Sequence, residues 1–271
     1  MFEDGTLENK ISLNSTEPAT PTISASVDLF RTATDPDLTE DMALALLKHP
    51  NLPAEVFEHL AKNVNALKSR KVKIGLASHA KAPRHVSVPL VRQFYAFDLM
   101  KIALSPSVPA DVKVVADHTL ISRLKAITVG ERRTLARRAS GRVAAALLPD
   151  VENMDGKNKD GKIKSARAIA RETRVMHTAL ENPRLTETLV INSVLRPAAS
   201  AALVHAVAQH KKWSCRREIR AALLRTEHLS LARALEFSRD IPATPLRELL
   251  ASSRLPTSIT DQLLRENAER P

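Results

Sequence analysis

Basic side chains at helical spacing are the strongest chemical signal in this chain. Lys164, Arg167, Arg171 and Arg174 are separated by three, four and three residues, which places all four on one face of one helix. Arg133 with Arg137, and Arg138 with Arg142, are i, i+4 pairs shortly upstream, and Arg216, Arg217 and Arg220 form a third group. From Lys164 to Arg174 there is a single acidic residue, Glu172, so local compensation is poor. Such surfaces suit the neutralisation of phosphates or carboxylates on a macromolecule. The competing reading is a solvated helix face whose ion pairs are each worth less than about 1 kcal/mol.

Other reactive residue types form weaker patterns. The run NKDGKI from Asn158 aligns Asn158, Asp160, Gly161 and Ile163 with inner positions of a calcium loop. Gly156 and Arg167 fall where the loop needs an acidic ligand and a bidentate Glu, so the run reads as a turn. The closest histidine pairs, His79 with His85 and His205 with His210, lie six and five apart, and neither spacing shares a helix face. His49, His79 and His210 occupy equivalent positions before a turn, which suits capping of the preceding helix. Cys215, the single thiol, falls on the expected core side of its helix with Ile219, Ala222 and Leu223. Trp213 is expected to pack beside the start of that helix, and Phe94, Tyr95 and Phe97 to be core at a helix junction. No nucleophile elbow, phosphate-binding glycine loop or zinc-protease signature is present, so no catalytic residue, cofactor or metal is assigned.

These groups are carried by a recurring phrase in which a polar or proline turn opens a short amphipathic helix. Its copies begin at Asp37, His49, Ser105, Asn182 and Ser253. Thr39 to Pro53 is 14 residues, Pro53 to Pro83 is 30, and Pro83 to Pro109 is 26. Thr186 to Ser214 and Ser214 to Pro242 are both 28, and Pro242 to Pro256 is 14 again. A helix and a short turn fill 14 positions, so 28 is one helical hairpin, and fixed-period hairpins predict a solenoid. Threonine N-caps, first-turn acids and prolines at the first helical position mark the starts.

Six glycines and 3% aromatics argue against a β-sandwich or barrel, while Ala, Leu, Arg, Lys and Glu favour helix. The fold class is therefore all-α, a right-handed α-solenoid of stacked hairpins with a period near 28 residues. Residues 37–271 form one repeat domain with a polar insertion loop at 149–163. Residues 1–36 are expected to be a disordered acidic tail, within which Val27, Leu29 and Phe30 could pack on the first repeat. Residues 1–41 hold nine acidic and two basic side chains, whereas 42–271 hold 39 basic and 21 acidic ones. No apolar run approaches membrane-spanning length and no signal peptide is evident, so the location expected is cytoplasmic, without membrane insertion.

The segments HPNLPAEVFEHLAKN, HAKAPRHVSVPLV, NPRLTETLVINSVL and HKKWSCRREIRAALL resemble the HEAT-like and leucine-rich-repeat-variant α-helical repeats, of a bacterial type, over about residues 37–267. The resemblance implies macromolecular binding. A minority of proteins resembling this architecture are DNA glycosylases acting on alkylated purines. Charge and resemblance together lead to an expectation of a non-enzymatic scaffold or adaptor. Its basic helical surface would bind an acidic protein, with sequence-nonspecific nucleic-acid binding as the alternative and the glycosylase as a further one.

Overall fold

The computed structural model describes residues 22–148, 166–197 and 199–268. All its regular structure is helical. In chain order the helices are α1 (Thr22–Thr34), α2 (Glu40–Leu46), α3 (Ala54–Lys62), α4 (Val64–Lys68), α5 (Arg70–Ser78) and α6 (Arg84–Val91). There follow α7 (Ala96–Leu104), α8 (Ala110–Arg123), α9 (Val129–Arg138), α10 (Gly141–Ala146) and α11 (Ala166–Leu180). The last are α12 (Glu187–Val194), α13 (Ala201–Gln209), α14 (Arg217–Leu223), α15 (Leu231–Arg239), α16 (Ala243–Ala251) and α17 (Thr257–Ala268). The insertion at 149–163 and its calcium-loop-like run lie outside the described residues. Within the segment expected to be a tail, α1 is helical and packs on α2 and α3. Ala33 is fully buried and the Phe30 ring meets the edge of His59 at 4.5 Å between centroids.

Helix starts follow the local chemistry. Thr39 accepts the Met42 amide, Ser140 the Val143 amide and Ser200 the Leu203 amide, each at the N-cap. Thr128 and Glu131 close a reciprocal capping box at the head of α9. Pro53, Pro83, Pro109 and Pro242 stand at the N-cap, one position before their expected place. Their extended ψ and fixed φ still launch each helix without losing a helical hydrogen bond.

Packing runs along two series of contacts. In one, α3 packs on α6, α6 on α8, α8 on α10, α10 on α12 and α12 on α14. In the other, α2 packs on α5 and α5 on α7, then α9 on α11 and α11 on α13, then α15 on α17. The series are joined through α5–α6, α7–α8, α9–α10, α13–α14 and α16–α17. Helices α3, α6 and α8 begin at 54, 84 and 110, and α12, α14 and α16 at 187, 217 and 243, so steps of 30 and 26 occur twice. The same two steps separate α2, α5 and α7 and recur for α13, α15 and α17. One apolar cluster extends from Ala33 to Leu263, with Phe57, Trp213 and Phe237 among its largest members.

Between neighbouring elements, side chains satisfy the carbonyls that helix C-termini leave open. Asn63 donates to the Asp35 carbonyl at 2.8 Å, and Arg123 to that of Phe94 at 2.7 Å. His79 Nε2 meets the His49 carbonyl at 3.0 Å. Trp213 Nε1 donates to Leu180 at 2.9 Å, and buried Asn182 to Ala136 at 2.7 Å. The separations are 28, 29, 30, 33 and 46 residues, the longest bridging the 149–165 segment.

Candidate binding surface

Helices α9 and α11 carry the larger share of the basic groups expected to bind. Leu135 and Ala136 of α9, with Val175, Met176, Ala179 and Leu180 of α11, are buried. The contact between the helices also holds an ion pair, Arg132 to Glu172 at 2.6 Å, with both side chains nearly buried. Glu172, the one acid within the stripe, is thus bound to Arg132 and turned into the contact. Arg133, Arg137, Arg138, Arg171 and Arg174 are exposed, and no ion pair holds any of them among the described residues. Arg167 lies on α11 and Lys164 falls outside the described residues. Arg138 and Arg142 belong to different helices, because α9 ends at Arg138 and α10 starts at Gly141. The i, i+4 spacing therefore does not describe one surface there.

The third basic group serves neighbouring helices. Arg216 donates to Glu187 at the start of α12 at 2.8 Å and lies 5.8 Å from the Trp213 ring. Arg220 pairs with Asp240, donates to the Ser214 carbonyl at 2.6 Å and stacks over Phe237 at 5.2 Å. Arg217 is exposed. The group is mostly a brace between units.

Arg142 instead enters an open trough of about 700 Å³ formed by α8, α10, α12 and the turns that follow α8 and α12. Val114, Ile121, Leu124, Ala145, Ala146, Leu147 and Leu189 give it apolar walls, and His118, Lys125, Arg142 and Arg196 give it cations. Among the described residues no carboxylate lines it. Asp117 on α8 is buried and accepts the Ser140 hydroxyl at 2.7 Å. Burial pushes its carboxyl above the usual range, opposed by the Ser140 hydrogen bond and then by Arg142 and His118.

Cys215 corrects an expectation: it is exposed, with its thiol 3.3 Å from the Lys212 carbonyl. Helix α14 begins only at Arg217, so Cys215 lies in the preceding turn, while Ile219, Ala222 and Leu223 do face the core. Trp213 is buried beneath Lys212, whose ammonium lies 4.1 Å from the ring centroid. Phe94 is buried and Phe97 partly so, whereas Tyr95 is exposed beside Arg70. Arg70 forks onto buried Asp98 at 2.8 and 2.7 Å. Among the described residues no cluster of His, Cys, Asp and Glu is placed to hold a metal, and no helix is long and apolar enough to cross a membrane.

Arg132, Asp117 and the trough residues His118, Lys125, Leu189 and Arg196 escaped the sequence reading. Arg132 sits in a run of arginines, and its partner is 40 residues away, so nothing local distinguishes it from Arg133. Asp117 interrupts the apolar series Val112, Ala116, Leu120, a signal of buried polarity that could have been read. No family model, curated protein or solved structure matches the chain.

Proposed function

We propose that this chain is a non-enzymatic adaptor, a right-handed α-solenoid of helical hairpins averaging 28 residues, similar to HEAT-like and leucine-rich-repeat-variant proteins. Its partner is an acidic protein. The alternating steps of 30 and 26, and polar contacts recurring at 28 to 30 residues, support the repeat reading. The binding reading rests on one observation. Arg133, Arg137, Arg171 and Arg174 project from two packed helices without a carboxylate partner among the described residues, while Glu172 is held by Arg132. Uncompensated guanidinium groups on a braced scaffold are suited to forked recognition of carboxylates.

The test changes Arg133, Arg137, Arg171 and Arg174 to Glu together. The helical spectrum should be retained, and capture of a specific acidic protein at about 150 mM salt should be lost; at that ionic strength unspecific attraction is screened beyond about 8 Å. Parallel titration of a labelled DNA duplex across a salt series decides against this reading if micromolar binding has a steep salt slope and the same variant abolishes it.

A further inference from the structure

We infer that the trough across α8, α10 and α12 is a docking site for an acidic amphipathic helix of a partner protein, clamped by Arg142 and Arg196. The inference rests on the adaptor reading and assigns it a site distinct from the arginines of α9 and α11.

Three features select this occupant. The first is shape: the trough is open and crosses three helices packed in sequence, α8 on α10 and α10 on α12. Two interaxial steps of about 8–10 Å each span about 16–20 Å. A helix rises 1.5 Å per residue, so about 11 to 13 residues cover that length. The second is an apolar floor: Val114, Ile121, Ala146 and Leu189, all partly exposed, present aliphatic surface from three different helices. A helix meets such a floor with side chains at i, i+3, i+4 and i+7. The third is charge. Arg142 and Arg196 are exposed at the trough, and among the described residues neither has an ion-pair partner and no Asp or Glu lines it. Asp117, close to Arg142 and His118, is buried and accepts the Ser140 hydroxyl. Carboxylates flanking the apolar stripe of an incoming helix would complete both arginines. A basic helix would be repelled, and a purely apolar one would leave them uncompensated.

The probe is a synthetic 13-residue helix with Leu at i, i+3, i+4 and i+7 and Glu on both flanks, tested on the full chain by methyl NMR and fluorescence anisotropy. Two control peptides carry Gln for every Glu, or Ser for every Leu. The expected result is saturable binding, with shifts at the methyls of Ile121, Ala146 and Leu189 and at least tenfold weaker binding of either control. Arg142→Glu with Arg196→Glu should weaken binding at least tenfold, and Arg142→Lys with Arg196→Lys should retain most of it. Absence of binding at millimolar peptide, or equal affinity for the Gln control, would overturn the inference. Binding with shifts confined to α9 and α11 would also overturn it while leaving the adaptor reading standing. Circular dichroism of each variant separates lost binding from lost fold.

Discussion

Two glycines in adjacent helices meet opposite surroundings and should answer the same substitution with opposite signs. A Cβ on Gly141 would stand 2.2 Å from the Arg184 carbonyl oxygen and 3.2 Å from a Leu189 methyl. The first obstacle is backbone, which cannot swing aside, so α10 would have to back away from the turn before α12. Gly141→Ala should cost about 1–3 kcal/mol, as overpacking does. Gly130, in the first turn of α9, has nothing within 4 Å of the same position. Gly130→Ala should stabilise by about 0.4–1 kcal/mol, because it narrows the unfolded ensemble. Urea unfolding of both variants settles the pair. Asp117 provides a pH-dependent test at the same scale. Its folded pKa is raised by burial, so the folded chain holds the proton more tightly than the unfolded one. Stability from this group is therefore greatest below the unfolded value, about 3.9, and declines as pH rises through the folded value. Asp117→Asn keeps an acceptor for Ser140 without a charge. It should remove that decline and equal or exceed the parent at pH 7, measured by denaturant midpoint from pH 3 to 7.

At the scale of elements, the turns use one device with interchangeable residues. The Asn182 side-chain oxygen accepts the amide of Arg184, two residues on, at 2.8 Å. His79 and His210 do the same through Nδ1, with the amides of Lys81 at 3.1 Å and Lys212 at 3.2 Å. A protonated imidazole has no lone pair at Nδ1, so the turn at His210 requires the neutral ring. Burial holds the His210 pKa below its usual range, with Glu181 opposing. Its contribution is complete above the unfolded value, about 6.5, and is lost as pH falls through the folded one. His210→Asn should abolish that acid loosening while preserving the turn, read as hydrogen-exchange protection of the Lys212 amide at pH 5 and 7. The α9–α11 contact gives a second prediction. Glu172→Gln takes the carboxylate from nearly buried Arg132 and should lower the melting temperature, whereas Arg132→Met with Glu172→Leu should recover most of the loss, as a thermal-melt cycle would show. Much of this level is legible in the residues: Thr39 and the prolines before α3, α6, α8 and α16 announce their helices. The 28-residue spacing puts the start of α14 near Ser214, whereas the helix begins at Arg217, and the shift carries Cys215 from the expected core to the surface. The difference arises because Trp213 is drawn down to the Leu180 carbonyl, and that contact has no local signature.

Across the whole molecule, the surface charges divide according to whether another helix has already claimed them. Sequence spacing made Arg216 and Arg220 look equivalent to Arg171 and Arg174. Their distinction depends on Glu187 and Asp240, which arrive from neighbouring helices. The trough is a feature of the same kind, since residues from Val114 to Arg196 meet in it and no short segment contains its pattern. A body built this way has no central element. The last helical pair, α16 and α17, is joined to the rest by a few identifiable bonds. The Arg254 amide donates to the Arg225 carbonyl at 3.1 Å, Arg239 pairs with Glu266 at 3.2 Å, and α15 packs on α17. If stability is a sum of units and nearest-neighbour interfaces, ending the chain after Asp240 should remove only its own share. The shortened protein should keep its helical signal per residue, with a smaller urea m-value in proportion to the surface no longer buried. It should also still bind the acidic probe helix, because the residues that line the trough, from Val114 to Arg196, all precede the cut. A collapse of the entire helical signal would instead mean one globular unit whose halves cannot fold apart. The 30 and 26 residue steps would then be an echo of ancestry and not the rule by which the molecule is held together.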